Sequence, residues 1–393
     1  MALRLVTAGE SHGPAVVAIL EGIPAGLAVD PGAVDEMLQR RQKGYGRGGR
    51  MRIERDRVEI LAGLRRGRTL GDPLVLLVRN RDATLERLPP VTRPRPGHAD
   101  LAGMLKMGTG DARDVLERAS ARSTAATAAA GAVAALLLRE CGVEVAGFCR
   151  SLGEVEAASI PEDLAVLRRA RDGSPFLCPD PAVAAAMKTL VDRAKQEGDT
   201  VGGVVEVWAD GVPPGLGDFR TAEARLDGRL AAALMRIPAI KGVEIGLGFE
   251  AARRPGSRAH DPILPARRGG FPRREGNRAG GIEGGMTNGE RVVVRAAMKP
   301  LSTLREALPS VDAATGAAAR GSRQRSDVCA VPAASVVAEA VVALELAAAL
   351  LEKTGGDTLP EVRRNLDGYL AAARRVFAPA PRRTSSGRRP RAR

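Results

Sequence analysis

Apolar and polar positions alternate at the start of the chain, and residues 2–6 and 15–20 read as β-strands around the turn Gly9-Glu10-Ser11-His12-Gly13. Helical spacing over 31–42 runs into a glycine–arginine loop at 44–50. Strands are predicted over 52–61 and 74–78, and the polar, proline-rich stretch 79–96 is a loop. From about 114 to 140 the pattern is one long alanine-rich helix, apolar all round beyond Thr124 and therefore central. A Pro/Asp-rich stretch at 159–181 leads to a helix over 182–197, then strand 203–209, helix 222–235 and strand 243–249. Residues 253–285 show little periodicity, and Asn288-Gly289 predicts a hairpin turn into a strand over 291–298. A final long helix spans about 333–353, and its Glu339 and Glu345 argue against a membrane role.

One pattern repeats. Leu20-Glu21-Gly22-Ile23-Pro24-Ala25-Gly26-Leu27 returns as Ala209-Asp210-Gly211-Val212-Pro213-Pro214-Gly215-Leu216, each copy after an apolar strand and before a helix. Either two strand-end turns coincide or a β-β-α unit is duplicated, over about 1–140 and 200–350. Both cases give an α+β fold of mixed sheets covered by helices.

Composition bounds the function. The 393 residues are 44% hydrophobic, which supports a sizeable core and excludes wholesale disorder. The net charge of +14 suggests nucleic acid, but only one Trp, two Tyr and six Phe are present to stack on bases. Six arginines and no acid fall in 378–393, which reads as a disordered basic tail after a single domain over 1–377. Only seven of the 60 basic residues are lysine, and arginine is the better fork for carboxylate and phosphate. Four cysteines without metal spacing or a signal peptide indicate reduced thiols in a cytoplasm. The longest uncharged apolar stretch, 124–138, is shorter than the ~20 residues of a membrane span.

Among three histidines, His12 and His98 are flanked by glycine, whereas His260 sits in a polar loop. Imidazole is the natural proton carrier near neutral pH. Ser11 beside His12 suggests a hydrolase only weakly, because a nucleophile elbow joins a strand to a helix. The 44–50 loop is either an RNA-binding segment or a mobile loop placing Arg40, Arg41, Arg47 and Arg50 around an anion. Arg118 and Arg122, four apart, share a helix face with Ser120 and Ser123 alongside, or else pair at the surface with Asp114 and Glu117. Lys299-Pro300-Leu301-Ser302-Thr303 closes a strand and Arg325-Ser326-Asp327 precedes the last helix. Together these groups point to a small, multiply anionic substrate.

The ordered motifs resemble one family, chorismate synthase, from Gly9 to about Tyr369. They are Gly9-Glu10-Ser11-His12-Gly13, Arg41 with Gly44-Tyr45-Gly46-Arg47-Gly48, Arg95-Pro96-Gly97-His98-Ala99-Asp100 and Glu117-Arg118-Ala119-Ser120-Ala121-Arg122. Further matches are Asp199-Thr200-Val201-Gly202-Gly203, Ala239-Ile240-Lys241-Gly242, Glu283-Gly284-Gly285-Met286-Thr287-Asn288-Gly289, Lys299-Pro300 and Arg325-Ser326-Asp327. The resemblance implies a β-α-β sandwich with internal pseudo-symmetry, usually a homotetramer. It implies a lyase that removes phosphate from 5-enolpyruvylshikimate 3-phosphate by 1,4-anti elimination, with reduced FMN required although nothing is oxidised overall. An external flavin reductant is expected; some relatives use NADPH themselves, but no dinucleotide fingerprint occurs here.

By the same resemblance His12 would hold a proton beside the flavin, His98 would protonate the departing phosphate, and Asp327 would act near flavin N5. Ser11, Arg41, Arg47, Arg50, Arg95, Arg122 and Arg325 would bind substrate. Arg118, Ala119, Ser120, Pro238, Ala239, Gly284, Lys299, Pro300, Leu301, Ser302, Thr303 and Arg325 would bind flavin. The chain departs from the family pattern at Ser123, Met107 and Pro238 and in a short 80–95 segment. With both histidines and the aspartate in place, an active enzyme is expected rather than an inactive paralogue or a basic RNA-binding protein.

Overall fold

The computed structural model describes residues 3–49, 53–266, 270–323 and 327–377. Arg50, Arg325 and the 378–393 tail therefore lie outside the described residues. One antiparallel sheet contains β1 (Arg4–Ala8), β2 (Ala15–Glu21), β3 (Val58–Ala62) and β4 (Leu74–Arg79) in the order β1-β2-β4-β3. A second contains β5 (Glu144–Leu152), β6 (Gly203–Asp210), β7 (Ile240–Ile245) and β10 (Val292–Met298) in the order β7-β10-β6-β5, with Val155–Glu156 on its edge. Between β7 and β10 in sequence lies a small hairpin of β8 (Ile282–Glu283) and β9 (Met286–Thr287).

Helices fill the space between the sheets. α1 (Pro31–Gln42) is capped by Asp30, whose side chain accepts the Gly32 N–H, and buries Val34, Met37 and Leu38. After α2 (Asp100–Met107) and α3 (Arg113–Ala119) comes α4 (Thr124–Glu140), which crosses α8 (Val331–Thr354) closely enough that a Cβ on Gly131 would sit 2.3 Å from Ala340 Cβ. α8 in turn lies on β5 and β6, where a Cβ on Gly147 would meet Ser335 O at 2.3 Å. α5 (Leu164–Asp172), α6 (Ala184–Glu197), α7 (Leu226–Met235) and α9 (Leu359–Arg375) complete the helices used below. The stretch 113–140 and α8 are apolar and long enough to cross a membrane, yet 72% and 89% of their most apolar windows are buried within the protein. They are core helices.

The sequence pattern misses or misplaces several elements. The long helix over 114–140 is broken at Ser120, whose ψ of 142° leaves the helical region. The hairpin turn expected at Asn288-Gly289 falls instead at Gly284-Gly285, where φ is 59° and 85°. The strand over 243–249 is shifted to β7, and 248–253 is a 3₁₀ turn. β5, α2, α5 and α9 have no counterpart in the pattern.

The repeated turns are built alike. Thr69 Oγ1 donates to Pro24 O (2.6 Å) and accepts the Leu27 N–H (3.0 Å), while Gly26 N–H donates to Thr69 O (2.9 Å). Thr287 Oγ1 donates to Pro213 O (2.6 Å) and accepts the Leu216 N–H (2.8 Å), while Gly215 N–H donates to Thr287 O (2.7 Å).

Candidate active site

A cavity of about 510 Å³ opens where the 9–13 turn, the loop after α1, the break between α3 and α4 and the start of α8 converge. The turn is possible because Gly9 has φ 103° and a Cβ there would lie 2.2 Å from Ala15 O. It presents Ser11 and His12 to the cavity. Ser11 N–H donates to Glu117 O (3.0 Å), and its hydroxyl accepts from Ser120 Oγ (3.0 Å). The helix break thus turns Ser120 into the cleft.

Each of two histidines has a buried carboxylate behind it. His12 Nδ1 lies 3.0 Å from both oxygens of Glu117, which also accepts the His12 backbone N–H (2.8 Å) and Arg113 NH1 (3.3 Å). Burial pushes the Glu117 pKa up, but these bonds outweigh it and hold the carboxyl below its usual range. His98 Nδ1 lies 2.5 Å from Asp100 Oδ1, and Arg95 clamps the same carboxylate through Nε (2.8 Å) and NH2 (3.1 Å). Burial again works against ionisation of Asp100, yet the His98 and Arg95 bonds keep it well below the carboxylate range. Both rings are thereby oriented through Nδ1.

Arginines occupy the floor. Arg41 NH2 and Arg122 NH1 each donate at 2.5 Å to a different oxygen of Asp56, whose side chain is wholly buried. Arg122 also donates to Asn80 Oδ1 (2.7 Å) and Arg79 O (3.1 Å), with Glu54 3.9 Å away. Burial lowers the Arg41 pKa; Asp56 opposes that, and the charges of Arg122 and Arg47 reinforce it. Arg47 NH1 pairs with Asp327 Oδ2 (2.9 Å), and Asp327 Oδ1 accepts the Gly48 N–H (2.6 Å), which fastens the 44–49 loop over the cleft. Arg95 NH1 donates to Thr303 Oγ1 (3.0 Å).

The facing wall is apolar: Ile237, Pro238, Ala239, Met298, Leu301, Ala333, Ala334 and Val337. Ala239 holds φ 69°, a conformation costing about 1–3 kcal/mol that turns the chain into β7. At one end are Ser302 and Thr303, and at the rim, not among the described residues that line the cavity, Lys299 Nζ donates to Gly97 O (2.9 Å). Burial and the neighbouring Lys241 charge lower the Lys299 pKa.

Thus Ser11, His12, Arg41, Arg47, Arg95, His98, Ser120, Arg122, Pro238, Ala239, Leu301, Ser302, Thr303 and Asp327 all line one cleft. Others lie apart. Arg118 and Ala119 line an adjoining cavity of about 680 Å³, and Arg118 donates to Thr7 O (2.8 Å) and Gly9 O (3.4 Å). Because of the break at Ser120, Arg118 and Arg122 do not share a face, and Arg122 is buried rather than paired at the surface. Gly284 lies in the β8–β9 turn and Pro300 follows the rim lysine; neither is among the described residues lining the two cavities. Ser123 Oγ donates to Ser120 O (3.0 Å), and Met107 is exposed at the end of α2.

The acids Glu54, Asp56 and Asp82 carry no mark in the sequence pattern, and Asp100 and Glu117, although inside motifs, have no site role there. Their signal is indirect: arginines buried in a cleft require buried counter-charges, and Glu54-Arg55-Asp56 directly follows the arginine loop.

Comparison with known proteins gives a consistent answer. The family model for chorismate synthase matches residues 3–351. The chorismate synthase of Trichlorobacter lovleyi is 55% identical over 390 residues, covering 95% of this chain and 100% of the relative. That of Moorella thermoacetica is 55% identical over 380 residues, covering 93% and 98%. A solved structure titled "Crystal Structure of Chorismate Synthase" superposes with a TM-score of 0.80 at 42% identity, over 95% of this chain and 99% of that one.

Proposed function

The chain belongs to the chorismate synthase family, carbon–oxygen lyases that eliminate phosphate from 5-enolpyruvylshikimate 3-phosphate to give chorismate, and we propose that its elimination takes place in the cleft between His12 and His98. The observation that carries this is the pairing of two carboxylate-backed imidazoles with a floor of buried arginines in one cavity. The substrate bears two carboxylates and a phosphate, and Arg41, Arg47, Arg95 and Arg122 supply fixed positive charge and their remaining N–H groups for them. Cleavage of the C–O bond builds charge on the leaving phosphate, and fixed cations in a water-poor site stabilise it. His98, turned by Asp100 so that Nε2 faces the cleft, is the general acid for that oxygen. Asp327 ties the 44–49 loop down through Arg47 and the Gly48 N–H, which puts the anion-binding loop and the proton-handling carboxylate in direct contact.

The residues fit reduced FMN. The apolar wall from Ile237 to Ala239 and along α8 suits a flat ring, while Lys299, which donates to the Gly97 carbonyl, lies near Ser302 and Thr303, where a phosphate end would be bound. When bound, reduced flavin supplies the electron density that lets the elimination proceed without net oxidation. His12 then keeps a proton at Nε2 on the cleft side, with Nδ1 committed to Glu117. We further read the chain as a cytoplasmic homotetramer served by an external flavin reductant, and the matching Thr69 and Thr287 turns support a duplicated unit.

The test is anaerobic: protein, reduced FMN and the enolpyruvyl substrate are mixed while phosphate release and chorismate absorbance are followed. Equal release of both is expected. Tight flavin binding without turnover would overturn the reading.

A further inference from the structure

The short 80–95 segment contributes a group that the roles above leave unused. Asp82 lines the cleft, with Thr84 Oγ1 donating to its Oδ1 (3.1 Å). Its Oδ2 faces His12 Nε2 at 3.9 Å, beyond a direct hydrogen bond but within the span of one water or a small side-chain rotation. The segment is anchored at both sides of this contact. Leu85 N–H donates to His12 O (3.0 Å), and Glu54 accepts the Arg81 N–H (3.0 Å) and Asp82 N–H (3.4 Å). His12 therefore sits between two unlike carboxylates. Glu117 is 2% exposed and held by the His12 backbone, the ring and Arg113, so it orients and does not move. Asp82 is 24% exposed and has one oxygen without another partner among the described residues.

We propose that Asp82 is a proton-relay residue that exchanges the Nε2 proton of His12 with solvent, an inference that rests on the cleft being the site of the elimination. In the step, the Nε2–H bond of the imidazolium breaks and its electron pair stays on nitrogen. An O–H bond forms on Asp82 Oδ2, and that proton passes to water or buffer, restoring the carboxylate; the reverse path reloads the ring. An imidazole that lends its Nε2 proton to the cleft must recover it before the next turnover. Asp82 does this for His12 without opening the loop that Asp327 fastens. Asp82 acts through His12 and is assigned no contact with substrate.

Two readouts test this. In flavin-free protein with ¹⁵N-labelled histidine, Asp82→Asn slows exchange of the His12 Nε2 proton with water about a hundredfold, the low end for a positioned acid–base group. Formate restores the exchange, and Asp82→Glu retains it. In anaerobic turnover, Asp82→Asn lowers kcat with KM nearly unchanged, and formate again restores it. Unchanged exchange, or a loss that formate does not restore, would overturn the relay. Failure of the wild-type protein to turn over would instead sink the proposed site chemistry, and the exchange measurement would still decide the role of Asp82.

Discussion

Asp56 gives the sharpest test of how the arginine floor is held. It is the carboxylate that Arg41 and Arg122 share, with a side chain fully out of solvent. In Asp56→Ala, Arg122 keeps Asn80, Arg79 O and the more distant Glu54. Among the described residues Arg41 keeps a 3.4 Å contact with Thr124 Oγ1 alone, so the loss falls mainly on one buried guanidinium. Removing one partner of a buried pair costs about 3–5 kcal/mol. Glu59 provides the control, because it meets Arg79 at 2.6 Å but with side chains 42% and 68% exposed. Exposed pairs contribute about 0–1 kcal/mol, so Glu59→Ala is nearly silent. Both variants are followed by urea titration at fixed protein concentration, read through the single Trp208, which packs edge-on against Phe148 at 5.5 Å. Inorganic phosphate at a hundred times its Kd for Asp56→Ala should stabilise that variant by about 2.7 kcal/mol, and the same concentration should stabilise the parent less, because an anion replaces the missing charge. Equal losses from Asp56→Ala and Glu59→Ala would refute the reasoning.

Gly131→Ala places a methyl 2.3 Å from Ala340 Cβ and lowers the urea-derived stability by about 1–3 kcal/mol, whereas Gly368→Ala, on open α9, raises it by up to about 1 kcal/mol. Glu339 is buried against Arg40 and Arg171. Burial raises its pKa, but those charges and the Gly147 N–H lower it further, so the folded value lies below the unfolded one. Its stabilisation is therefore present above the ordinary Glu value of about 4.3 and is lost as pH falls through the depressed folded value. Glu339→Gln should be less stable at pH 7, with the gap closing in acid denaturation profiles. His98→Ala should lower kcat about 10²–10⁴-fold, while His260→Ala, in an exposed loop, should leave it unchanged.

What the sequence disclosed follows from burial. α1 matches its sequence pattern to the residue, because Asp30, Pro31 and one-sided apolar spacing mark it. β5 left no alternation because seven of its nine residues are buried, including both faces around Gly147. The break at Ser120 carries neither glycine nor proline and follows from the ring of bonds to Ser11 and Arg122, which no local rule registers. The histidines of the cleft were legible because only three occur and two are flanked by glycine, Arg47 because it lies in a glycine-rich loop, and Arg122 only through the family motif. Asp56 and Glu117 were not, because an acid on so basic a chain reads as an ordinary surface partner until its burial is seen.

The position of α8 also sets the order in which the molecule can be made. It is the common partner of α4, α7, β5 and β6, yet it is encoded after all four, at Val331–Thr354. Synthesis proceeds at roughly 5–20 residues per second, so the alanine-lined face of α4 stays uncovered for many seconds after it leaves the ribosome. The second sheet and α4 therefore wait on a helix encoded far downstream, and contacts of such long sequence separation make folding slow. A nascent chain stopped before residue 331 should bind a general chaperone, and one extended past 354 should release it.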